Sequence, residues 1–86
     1  MNIELYYTPQ TRSGRVRWAL EELDMPYTLR PVDLFGGERN PAHPLGMVPA
    51  MILDGETMFE SGAMCMWLAD QSPDHRLAPP YEDPQR

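Results

Sequence analysis

PLGMVPAMILDGETMFESGAMCMWLA, residues 44–69, is the stretch from which the fold is read. Two short apolar runs, Pro49 to Leu53 and Glu56 to Phe59, flank Asp54 and Gly55. A DG pair between apolar runs is a strong hairpin signal, because both positions tolerate the positive φ of a tight turn. An antiparallel pair is expected. Ser61 then stands where a helix N-cap is favoured, and Ala63 to Ala69 is apolar on nearly every side, which predicts a helix buried on more than one face.

Working back toward the start, Ile3, Leu5 and Tyr7 alternate with Glu4 and Tyr6, which predicts a strand from Asn2 to Tyr7 that Thr8 and Pro9 end. From Ser13 to Asp24 the apolar residues Val16, Ala19, Leu20 and Leu23 follow helical spacing, with Arg15, Arg17, Glu21 and Glu22 on other faces. Pro26 stops that helix. Tyr27 to Val32 reads as a second strand, and its Pro31 suits a sheet edge. Strand, helix and strand this close in sequence form a right-handed βαβ unit with parallel strands. Residues 33–47 carry Gly36, Gly37, Pro41 and Pro44 and are expected to be irregular and partly exposed. The class is α/β, in the order βαβ, irregular segment, ββα: a four-stranded mixed sheet flanked by helices.

Eighty-six residues give room for one domain, and a net charge of −6 disfavours nucleic acid and anionic membrane surfaces. No apolar run approaches the roughly 20 residues a membrane helix needs, and no signal-peptide pattern is present, so a cytoplasmic setting is expected. The one cysteine, Cys65, leaves no CxxC pair for dithiol redox or zinc, and no metal site is expected. After Gln71, Pro73, Pro79, Pro80 and Pro84 lie among polar residues that form neither helix nor ladder. The expected division is 1–72 as the domain and 73–86 as a proline-rich linker.

Residues 44–69 resemble the N-terminal domain of glutathione S-transferases, whose members carry a similar NPxGxVPxL, a short hairpin, an ES pair and a helix. LYYTPQTRSGRVRWALEELDMPY, residues 5–27, is similar to the first strand and helix of bacterial and fungal members, and RLAPP at 76–80 to their linker. The resemblance implies a thioredoxin-like fold that binds glutathione as substrate. It also implies that a C-terminal helical domain, absent from this chain, completes the electrophile pocket.

Site residues follow from the same resemblance. The VP proline of the family is cis, and its strand edge pairs with the cysteinyl backbone of glutathione, which points to Val48 and Pro49; read without the family, Pro49 is a trans proline opening a strand. Glu60 and Ser61 match the pair that holds the γ-glutamyl end, and a helix start also favours an anion on physical grounds, although cap residues serve their own helix equally well. A hydroxyl near the start of the first helix would ionise the thiol, with Thr11 and Ser13 as candidates and Ser13 favoured as the expected N-cap. Arg12 between them adds positive charge, while Tyr7 is turned toward the core by alternation.

The chain departs from the family in two respects. Met47 stands where many members have lysine or arginine, leaving His43 or Arg12 to meet a glutathione carboxylate, and no cysteine begins the first helix, which argues against disulfide-reductase chemistry. Cys65 reads as a small buried residue. Two functions are carried forward: a transferase domain, weakly active or inactive by itself, that ionises glutathione for conjugation to electrophiles, and a non-catalytic thioredoxin-like scaffold or binding module. Trp18, Met64 and Trp67 are expected to share an exposed apolar patch that drives homo-oligomer formation.

Overall fold

The computed structural model describes residues 2–74, 77–79 and 82–84. Its elements run β1 (Ile3–Tyr7), α1 (Ser13–Glu22), β2 (Thr28–Pro31), β3 (Ala50–Leu53), β4 (Glu56–Met58) and α2 (Ser61–Gln71). The strands form one sheet in the order β2-β1-β3-β4. Pairing is parallel between β1 and β2 and antiparallel at the other two junctions, so the mixed sheet is as expected and Pro31 does lie on an edge strand. At the hairpin, Asp54 and Gly55 take φ of 49° and 91°, the positive values that the DG signal anticipates.

Register follows from burial. Leu5 lies opposite Met51 and both are fully enclosed, so a one-residue slip would turn them out of the core. Val16, Ala19 and Leu20 of α1 join Met64 and Leu68 of α2 in the same cluster as Ile3, Leu5 and Met51, which sets both helices on one face of the sheet.

Three local expectations are corrected. Glu60, not Ser61, occupies the N-cap position of α2, and Arg12, not Ser13, that of α1; neither helix has a side-chain cap. Helix α2 buries one face, Met64, Leu68 and Ala69, while Met66 stays 45% exposed. Met64 is therefore core and no part of an outer patch, Trp67 is half-buried, and only Trp18 of that trio is open. A uniformly apolar helix carries no periodicity that marks its buried side, so packing alone decides it.

Within the proline-rich stretch, residues 75, 76, 80, 81, 85 and 86 lie outside the described residues, among them the first and last residues of RLAPP. Leu77 packs against the core cluster. No helix among the described residues is long and apolar enough to cross a membrane.

Leu68→Ala removes a fully buried side chain at the junction of both helices. Urea unfolding is expected to show a loss of about 2–5 kcal/mol, against less than about 0.5 kcal/mol for Met66→Ala on the exposed face.

Candidate functional site

Because β3 runs antiparallel to β1 and β4 antiparallel to β3, the end of β1, the start of β3 and the end of β4 share one edge of the sheet. The loop from Thr8 to Arg12, the Val48–Pro49 step and the Phe59–Glu60 step therefore meet. The Val48–Pro49 peptide bond is cis.

A cleft of about 160 Å³ opens there. Arg12, at the start of α1, and Glu60 with Ser61, at the start of α2, line it together with Val48 and Pro49. His43, Leu45 and Met47 complete the wall. Neither helix has an acidic residue in its first turn, so the partial positive charge of each N-terminus is left for whatever enters. Arg12 and Glu60 put one full positive and one full negative charge on the lining.

The two hydroxyl candidates lie outside that lining. Ser13 is fully buried, and its Oγ accepts the Thr8 amide at 3.1 Å and lies 3.0 Å from the Thr8 carbonyl oxygen. Thr11 is half-buried; its Oγ1 donates to the same carbonyl at 2.6 Å and lies 2.6 Å from Ser13 Oγ. These bonds tie the loop between β1 and α1 to the helix start. Tyr7 is half-buried against the core, and the Arg17 guanidinium sits 5.0 Å over its ring.

Asn40, which no sequence motif marks, also shapes the site. Its backbone amide donates to the Gly46 carbonyl and its side-chain amide to the Met47 carbonyl, both at 2.9 Å, while Oδ1 accepts the Ala42 amide at 2.9 Å. Asn40 is 2% exposed and holds the loop that carries His43, Leu45 and Met47 to the cleft. The NP dipeptide at 40–41 marks a turn, and nothing else local distinguishes an asparagine that will be buried. His43 accepts the Leu45 amide at Nδ1, 3.0 Å, and its ring stands edge-on to Phe59 with centroids 4.8 Å apart.

Wider clefts occur elsewhere. One of about 450 Å³ lies between Leu23 and Ser72 and another of about 710 Å³ between Arg17 and Tyr27. The first sits at the C-terminal ends of both helices, where the dipole repels anions, and in the second Arg17 and Glu21 are both engaged with Tyr27. Cys65 is half-buried, and burial raises its thiol pKa despite Arg15 nearby, so it is protonated more fully than a free thiol.

Residues 5–79 match the model for the glutathione S-transferase N-terminal domain. The chain belongs to that family. Glutathione S-transferase 3 of Schizosaccharomyces pombe is 39% identical over 66 residues, covering 72% of this chain and 27% of the relative. A glutathione transferase homologue from Sulfitobacter, solved with bound glutathione, superposes with a TM-score of 0.85 at 34% identity, over 96% of this chain and 42% of its own. A glutathione transferase from Methylococcus capsulatus gives 0.87 at 32%, over 98% and 45%. The glutathione S-transferase domain described here thus spans less than half the length of these relatives.

Glu60 enters α2 with φ 70° and ψ 111°, a conformation that costs a residue bearing a Cβ about 1–3 kcal/mol. Glu60→Gly is therefore expected to unfold at higher urea than Glu60→Ala, by about 1 kcal/mol, since both lose the carboxylate and only glycine relieves the backbone.

Proposed function

We propose that this chain is the glutathione-binding domain of a glutathione transferase and that the cleft between the two helix starts is where the tripeptide sits. The observation that carries the reading is the meeting of Arg12, Val48, Pro49, Glu60 and Ser61 on one small cleft, in a domain whose Sulfitobacter relative holds glutathione. In this reading Glu60 takes the γ-glutamyl ammonium, and the Ser61 hydroxyl with the first amides of α2 takes the neighbouring carboxylate. Val48 offers its main-chain N–H and C=O to the cysteinyl residue as an added strand would, beside Pro49.

The chemistry proposed is ionisation of the thiol. Its proton passes to solvent, the thiolate is held by a hydroxyl and by the positive start of α1 near Arg12, and it attacks an electrophilic carbon as the leaving group departs. Half-exposed Thr11 is the better placed donor than Ser13, whose hydroxyl is enclosed, and would release its bond to the Thr8 carbonyl to reach the thiolate. That enclosure also favours the second reading, a module that binds glutathione without ionising it. Exposed Trp18 and Met66 support docking of a following helical domain or self-association. Conjugation by this chain alone is expected to be weak, and its setting is proposed as cytoplasmic.

Calorimetry should find glutathione affinity reduced about tenfold in Glu60→Gln and again in Ser61→Ala, as loss of a charge-assisted hydrogen bond implies. Unchanged affinity in both variants rules the site out. The pH at which bound glutathione gains thiolate absorbance should lie below that of free glutathione and rise in Thr11→Ala; no difference between bound and free selects the non-catalytic module.

A further inference from the structure

We propose that the Arg12 guanidinium, ahead of either hydroxyl, is the chief partner of the thiolate and so a catalytic residue, an inference that rests on the glutathione reading above. The hydroxyls beside α1 have their protons committed. Each carries one, and the buried Thr8 carbonyl accepts from Thr11 Oγ1 at 2.6 Å and lies 3.0 Å from Ser13 Oγ, with the two hydroxyl oxygens 2.6 Å apart. The first amides of α1 are engaged as well. That of Ser13 donates to Thr11 Oγ1 at 3.3 Å, that of Gly14 to the Thr11 carbonyl at 3.0 Å and that of Arg15 to the Arg12 carbonyl at 3.1 Å. A hydroxyl that turned to the thiolate would leave a bond inside this turn unmade, which is costly where the partner is buried.

Arg12 is under no such constraint. Its side chain is exposed at the N-cap position of α1, lines the cleft, and has no carboxylate partner among the described residues. Sheet order also sets it on the thiol side. Strand β3 stands between β1 and β4, so Val48, just before β3, has the start of α2 on one side and the loop leaving β1 on the other. With the γ-glutamyl end at α2 and the cysteinyl backbone at Val48, the side left for the sulfur is that of Arg12. A guanidinium stays charged throughout the range in which thiols ionise, so it does not take the proton. The S–H bond breaks with its electron pair left on sulfur, the proton goes to water, and the guanidinium N–H groups donate to the thiolate. An opposite charge this close lowers an acid's pKa by about 1–3.

Thiolate absorbance of bound glutathione against pH, measured for this chain and for Arg12→Gln, Arg12→Lys and Thr11→Ala, tests the assignment. Arg12→Gln is expected to raise the midpoint by about one pH unit or more, Arg12→Lys by about half as much or less because the charge is kept, and Thr11→Ala by less than Arg12→Gln. S-methylglutathione has no thiol to ionise, and its affinity should stay within about threefold in Arg12→Gln. A loss of S-methylglutathione affinity of about tenfold or more in that variant, with the midpoint unmoved, makes Arg12 an anchor for a carboxylate and overturns the inference. A midpoint that moves in Thr11→Ala and not in Arg12→Gln overturns it too, and both results leave the glutathione reading standing. Failure of the unaltered chain to bind glutathione removes that reading and the inference together.

Discussion

The rest of the molecule depends on β1 standing inside the sheet, hydrogen-bonded in parallel to β2 and antiparallel to β3. That mixed pairing turns three chain segments, far apart in sequence, to a single edge. With β3 parallel to β1, the Val48–Pro49 step would lie at the opposite end from Arg12. The Leu5–Met51 pair holds the arrangement, since both side chains are enclosed under α1 and α2 and lose that burial if the register slips. Hydrophobic packing at the centre thus fixes polar geometry at the rim.

The rim itself is held by hydrogen bonds of few residues. Asn40 secures the loop carrying His43, Leu45 and Met47, and Thr8, Thr11 and Ser13 bind one another across the turn into α1. Ser13, which looks from sequence like a helix cap with a hydroxyl to spare, is committed inward. Glu60 is held in a costly backbone conformation at the start of α2, and strain of this kind persists where surrounding structure dictates it. A glutamate kept there, where glycine would sit at lower cost, fits a residue retained for its carboxylate.

Much of this is legible in the amino-acid sequence, for identifiable reasons. The DG turn, the spacing of Val16, Ala19 and Leu20, and Pro31 at an edge are local signals whose physics acts over a few residues. The grouping of Arg12 with Val48, Pro49, Glu60 and Ser61 came through family likeness, because no local pattern says that distant segments meet. Features decided by tertiary packing stayed hidden. The apolar run of α2 could not show that Met64 faces inward and Met66 outward, and both helices start one residue earlier than their serines propose. Asn40 gave no sign that it would be buried, since asparagine in a turn is ordinarily exposed.

On the reading proposed above, one end of the sheet gathers two helix starts and a strand start into a cleft that binds glutathione. The most direct test is the amide spectrum of the isotopically labelled chain as glutathione is added. The account predicts saturable shifts of the Arg12, Val48, Glu60 and Ser61 amides along a common binding curve. Shifts confined to the clefts beside Leu23 or Tyr27, with those four amides unmoved, would contradict it.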